Sequence, residues 1–154
     1  MINFLNQPGF LGTHASLRAD LTLILIVLTA VLFTYGWRLA VHKNISAHQK
    51  VQNLAVVLNS LVVLLAMVGI FIKQYLPAIP GNFGSLAIAL PAVHGMTGSF
   101  GLLYGIYVAM VGNGSLPQKI RFKNFKLFMR IAFGFYLLLT VSGIILYLTL
   151  YGVW

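Results

Sequence analysis

Four long apolar segments, separated by short polar or Pro- and Gly-rich breaks, constrain this 154-residue chain more than any other feature. They cover about residues 19–41, 51–76, 85–111 and 125–151. Each exceeds the roughly 20 residues that cross about 30 Å of hydrocarbon. Because the bilayer core offers no water to backbone groups, we expect these segments to be helices. The sequence therefore predicts an all-α fold, with residues 1–154 forming a single integral membrane four-helix bundle.

Composition supports a membrane protein and excludes several kinds of site. The chain is 60% apolar and 7% charged, too few charges to cover a soluble domain. It has no cysteine, which excludes disulfides, iron–sulfur clusters and thiolate metal sites. Asp20 is its only carboxylate, which excludes paired-carboxylate hydrolysis. With no nucleophile–base pair in the sequence either, we expect no stand-alone catalytic activity.

The formal charge of +9 is distributed unevenly along the chain. Arg18 and Lys73 alone fall near one side of the predicted bundle, where they could neutralise Asp20, and the other eight Lys and Arg residues fall near the first and third connections. The positive-inside rule places these two connections in the cytoplasm and both termini on the extracytoplasmic side. We expect a multi-pass protein of a bacterial or archaeal cytoplasmic membrane. Topology and anionic lipids explain the charge, so no nucleic acid partner is needed.

One histidine lies in the apolar stretch "LPAVHGMTGSFGLLYG" of the third segment. Pro91 precedes His94, and Gly98, Gly101 and Gly105 follow it at spacings that share one helix face. A glycine face suits either close packing of another helix or a flat macrocycle such as haem. His94 is therefore a candidate ligand for a haem iron, a metal or a quinone oxygen, or else a buried polar residue that joins helices.

A haem with two histidine ligands needs a second histidine at a similar depth. His14 precedes the first helix on the same side as the start of the third, so it is the candidate partner of His94. The predicted site for haem b thus uses His94 and His14 as iron ligands, with Gly98 and Gly101 beside the cofactor. His48 is about 20 Å from His94 by helix rise, which is too far for one metal.

Two other polar features favour structural roles. His48, Gln52 and Asn59 form one stripe on the second helix, for which interhelical hydrogen bonding is the simplest explanation. Asp20 lies in the first turn of the first helix, where the helix dipole favours an anion. Because it is the only carboxylate, a role in binding a cation or a quinol proton stays open.

Five motifs occur in an order and spacing that resemble a known family: "ADLTLILIVL", "HKNISAHQKVQNLAVVLN", "AVHGMTG", "IRFKNFKLFMR" and "LLLTVSGIILYLTLY". From about residue 14 to residue 151 the chain resembles the four-helix membrane proteins of the domain of unknown function 420 family. The resemblance implies a role in assembly or maturation of haem–copper terminal oxidases. Family histidines at the start of the second helix and in the third match His48 and His94. Two further family histidines have no counterpart in "GIFIKQYL" and "LYLTLYGVW".

These observations lead to one expected function and one alternative. We expect a small accessory or assembly subunit of a respiratory or electron-transfer membrane complex of the haem–copper oxidase type. Its partners would be the lipid bilayer and other membrane protein subunits. The alternative is an electron-transfer subunit that binds b-type haem or a quinone through His94.

Overall fold

The computed structural model describes residues 2–121 and 123–152, and four long helices contain most of them. They are α1 (Leu17–Val41), α2 (Ile45–Asn82), α3 (Leu86–Gly112) and α4 (Phe125–Tyr151). A short helical turn at Ile2–Leu5 and a 3₁₀ turn at Gln118–Ile120 lie outside them. All four are long and apolar enough to cross a membrane. The predicted all-helical fold is confirmed, with four helices that are long and apolar enough to span a membrane.

The second helix is longer at both ends than the hydropathy of the sequence predicts. It begins at Ile45 because the side chain of Asn44 caps it, accepting a hydrogen bond from the Ala47 amide at 3.3 Å. His48 therefore lies in the helix and not in the connection. The helix continues past Leu76 because Pro77 and Pro80 each stand in the first turn of a new helical segment. A proline there lacks only an N–H that had no partner in the helix.

Within its length, α2 is the least regular of the four helices. Two π-helical turns interrupt it, at Val63–Met67 and Phe71–Tyr75. Each π turn inserts a residue into the helix and rotates the side chains that follow. The third helix, by contrast, stays α-helical through Pro91, which is buried.

The helices run up and down around a ring in which each packs on two neighbours. The neighbouring pairs are α1 with α2, α2 with α3, α3 with α4, and α4 with α1. Where they meet, the buried residues are mostly small, such as Ala55, Ala92, Thr29 and Gly36. Small residues allow helix backbones to approach closely in a bilayer. The outward face is apolar, and Leu65 is 81% exposed, which fits a lipid environment.

The two ends of the bundle differ in chemistry. At the basic end, α1 leads into α2 and α3 leads into α4, through the Lys- and Arg-rich connections. At the carboxylate end, residues 7–16 fold over the start of α1, close to Asp20 and the last turns of α4. That the basic end faces the cytoplasm stays a prediction.

Candidate functional site

His94 joins α3 to α4. Its Nδ1 lies 3.0 Å from the Ser142 hydroxyl, and that hydroxyl also donates to the Leu139 carbonyl at 2.9 Å. Because a serine has one proton to donate, Ser142 must accept from His94 Nδ1–H, and in the neutral ring this tautomer leaves Nε2 unprotonated. Gly143 makes room for the ring, since a Cβ there would lie 3.3 Å from His94 Cε1. His94 is half-buried, and its Nε2 has no hydrogen-bond partner among residues 2–121 and 123–152.

His14, the predicted second ligand, is exposed, and its backbone amide donates to the Tyr151 carbonyl at 3.1 Å. Its anchor on α4 lies nine residues beyond Ser142, the anchor of His94. Nine residues of helix span roughly 14 Å, whereas two imidazoles on one metal hold their nitrogens about 4 Å apart. The structure thus places the two side chains at different levels of α4, and their pairing on one iron stays a prediction.

The glycines that follow His94 do not act alike. A Cβ at Gly101 would lie 2.6 Å from Leu139 Cδ1 and 2.9 Å from Phe135 Cε1, so α4 occupies that face of α3. At Gly98 and Gly105 a Cβ would meet nothing within 4 Å. Close helix packing therefore explains Gly101, while Gly98 and Gly105 border open space.

A large space between the helices lies elsewhere, in the basic half of the bundle. A cavity of about 480 Å³ is lined by residues from all four helices, and neither His94 nor His14 is among them. Its walls are mainly apolar, with Trp37 and Phe133 stacked at 5.7 Å between ring centroids. Its polar and charged lining residues are His48, Gln49, Gln52, Asn53, Asn59, Asn113, Lys126, Arg130 and Tyr136.

The polar stripe on α2 lines one wall of this cavity and is held by its neighbours. His48 Nδ1 lies 2.7 Å from the Gly36 carbonyl. A carbonyl only accepts, so Nδ1 donates. Gln52 donates to the Phe33 carbonyl at 3.3 Å. Asn59 Oδ1 accepts from the Tyr136 hydroxyl at 3.2 Å, which confirms the predicted interhelical hydrogen bonding.

Two cations at the start of α4 complete the cavity lining. Lys126 and Arg130 are exposed, and neither has a hydrogen-bond or ion-pair partner among residues 2–121 and 123–152. Arg121, just before them, differs because it donates to the carbonyls of Leu116 at 2.6 Å and Gly114 at 2.9 Å. The cavity is therefore an apolar chamber with two unpaired positive charges at one end.

The only carboxylate lies at the opposite end and is fully buried. Asp20 accepts from the amides of Phe10 at 2.6 Å and Leu11 at 2.8 Å, and from the Tyr147 hydroxyl at 2.5 Å. Tyr147 in turn lies 2.7 Å from the Thr13 hydroxyl, which must donate because the tyrosine proton goes to Asp20.

These three donors differ from the predicted partners of Asp20. No ion pair joins it to Arg18 or Lys73 within the described part of the chain. The backbone of residues 10–11 and the phenol of Tyr147 stabilise it instead. Its observed role is therefore to hold the N-terminal segment against α4.

The cavity was not predicted from the sequence, because Lys126 and Arg130 were used only to predict which end faces the cytoplasm. One signal was present: they are four residues apart, on one face of α4, at the end where the polar stripe of α2 begins. Within the described ranges no group of three or more His, Cys, Asp or Glu side chains could hold a metal ion.

A comparison with known protein families found no family model that matches the chain, and neither characterised proteins nor solved structures gave a match. The resemblance to the domain of unknown function 420 family therefore stays a prediction. The candidate site rests on the geometry of the cavity and of His94.

Proposed function

We propose that this chain is a membrane-embedded accessory or assembly subunit of an electron-transfer complex of the haem–copper oxidase type, which acts by binding and not by catalysis. The observation that carries the binding role is the cavity of about 480 Å³ between the four helices. Pockets of about 300–1,000 Å³ with apolar walls and a few polar groups are typical of small-molecule sites. The motif resemblance supplies the link to the oxidase.

A helix bundle in a bilayer is stabilised by packing that an unfilled cavity weakens. Membrane helices associate mainly through van der Waals packing, and a volume that no side chain fills forfeits those contacts. A molecule that fits the cavity would restore them and stabilise the four-helix arrangement. The polar stripe of His48, Gln52 and Asn59 would fix its orientation, because these side chains are themselves held by α1 and α4.

Two measurements test the two parts of this proposal. Organic extracts of the full chain, purified in mild detergent, should contain a molecule in stoichiometric amount, identified by mass spectrometry. A tagged chain purified from native membranes should retain subunits of a haem–copper oxidase. An empty preparation that no added amphiphile stabilises would overturn the binding role. Loss of oxidase subunits in favour of an unrelated complex would overturn the link to the oxidase.

A second candidate function is binding of haem b or a quinone at His94, the alternative that the sequence raised. It is favoured by the unprotonated Nε2, which could coordinate iron or accept a hydrogen bond from a quinol hydroxyl. A Soret band that disappears in His94→Ala and persists in His48→Ala would support haem at this position. A colourless preparation without quinone in its extract would overturn this candidate.

A further inference from the structure

We propose that the cavity binds an anionic phospholipid, with its phosphate held by Lys126 and Arg130 and one of its chains inside the bundle. This inference rests on the binding role proposed above and names the ligand class of the same site. Three observations carry it: the charge at the basic end, the depth of the two cations beside the chamber, and the length of the apolar chamber.

The two cations of the cavity lining need an anion to neutralise them. Lys126 and Arg130 both line the cavity, one helical turn apart on the same face of α4. Asp20 is the only carboxylate in the sequence, and it is buried at the other end with three hydrogen-bond donors of its own. The chain therefore has no anion to offer this cavity. A partner of opposite charge has to come from outside it.

The two cations lie beside the chamber in the first two turns of α4, which begins at Phe125. Arg130 is the sixth residue of α4, at a depth of about 8 Å by helix rise. Its guanidinium can hold two phosphate oxygens at once, and the Lys126 ammonium adds a point charge.

The apolar part of the cavity is long enough for a lipid chain. On α4 its lining runs from Phe125 to Leu139, a rise of roughly 21 Å. Alongside the polar stripe its wall includes Phe33 and the open backbone face at Gly105. A neutral quinone would fill this space but leave both cations unpaired. In a bilayer, the abundant molecule with an anionic head and an apolar chain is an anionic phospholipid.

Lipid binding to the full chain in detergent would test this site, with native mass spectrometry and the thermal midpoint as readouts. The probes are phosphatidylglycerol, zwitterionic phosphatidylcholine with the same chains, uncharged diacylglycerol and inorganic phosphate. We expect phosphatidylglycerol to bind at least about tenfold more tightly than the other two lipids. Inorganic phosphate should compete weakly, because it lacks the chain. Full competition by phosphate alone would show a free-anion site and overturn the lipid assignment.

Two pairs of substitutions at the same end supply the matched comparison. Lys126→Gln with Arg130→Gln should remove the preference for phosphatidylglycerol. Lys119→Gln with Lys123→Gln removes the same charge from the same end without touching the cavity lining, so the preference should stay. An equal loss in both double variants would mean general surface attraction and would overturn the site. If the first pair fails to fold, the comparison of lipids on the wild-type chain decides alone.

A variant that blocks the cavity distinguishes failure of the anionic lipid assignment from failure of the proposed binding role. A Cβ at Gly105 meets nothing within 4 Å, so Gly105→Leu should fold and exclude the lipid chain. If a neutral amphiphile binds instead and Gly105→Leu displaces it, the anionic assignment fails and the binding role stands. If no probe binds and Gly105→Leu changes nothing, both fail. A coloured preparation whose haem is lost in His48→Ala would also overturn the lipid.

Discussion

The two ends of this bundle differ in how their charged side chains are paired. At the carboxylate end, Asp20 is 0% exposed and all its partners belong to the chain: two backbone amides and the hydroxyl of Tyr147. At the basic end, Lys126 and Arg130 border an open cavity and have no partner among the described residues. One end is complete without a ligand, whereas the other has charges that only an outside molecule can pair.

The difference follows from how each end is closed. Residues 7–16 cover the carboxylate end, tied by Leu17 N–H to the Gln7 carbonyl and by Gly9 N–H to the Ala15 carbonyl, both at 2.8 Å. A Cβ at Gly9 would overlap the Asp20 carboxylate, so only glycine allows the segment to come this close. No comparable segment covers the cavity among residues 2–121 and 123–152.

The largest expected effect is on the activity of reporter fusions, which is all-or-none because each end of the bundle faces one compartment. Reporter enzymes that work only in the cytoplasm should be active when fused within residues 113–124 and inactive when fused after residue 152. The reason is the concentration of Lys and Arg at the basic end. Activity of the C-terminal fusion would reverse the orientation and place Asp20 on the cytoplasmic side.

The next largest effect is expected at Asp20. Asp20→Asn removes the negative charge that accepts three hydrogen bonds. It also replaces one carboxylate oxygen by an NH₂ group, which would face N–H or O–H donors. Charge-assisted hydrogen bonds contribute about 1.5–3 kcal/mol each, and we expect a loss of about 2–4 kcal/mol in unfolding free energy. Thermal or denaturant unfolding in detergent measures it. Tyr147→Phe, which removes one of the three donors, should cost less. Equal costs would show that the charge itself contributes nothing.

A smaller effect is expected in the middle of the bundle, where α3 meets α4. Gly101→Leu would place a side chain against Leu139 and Phe135 and should cost about 1–3 kcal/mol by overpacking. Gly105→Leu is the matched control, because its side chain would enter the cavity, and stability should stay within about 0.5 kcal/mol. The same thermal midpoint for both variants would mean that α4 does not press on α3 at Gly101.

The hydrogen bond between His94 and Ser142 should contribute as much stability as an ordinary hydrogen bond between membrane helices. His94→Ala should cost about 1 kcal/mol, the scale of such bonds in a bilayer. Ser142→Ala should cost a similar amount, because it removes the other half of the same contact. A visible spectrum that only His94→Ala abolishes would instead assign the residue to a cofactor.

Sequence alone predicted the helices because each span must satisfy its own backbone and face lipid, and hydropathy records both. It misplaced the start of α2, since the Asn44 cap and not hydropathy sets that end. The partners of Asp20 come from residues 10, 11 and 147, which no local pattern links. The cavity was missed for a similar reason, because its size depends on how four helices pack.

The smallest effect is expected at the rim of the cavity, where two amides pair across the basic end. Asn53 donates to Asn113 Oδ1 at 3.0 Å, and Asn113 donates back to Asn53 Oδ1 at 2.8 Å. Asn113 is exposed and Asn53 half-buried, so water or lipid headgroups can replace each partner, and the coupling should be about 0.6 kcal/mol. A double-mutant cycle with Asn53→Ala and Asn113→Ala measures it free of the capping role of Asn113. A coupling as large as the loss from Asp20→Asn would mean that the basic end is closed by its own contacts, which would contradict the contrast between the two ends.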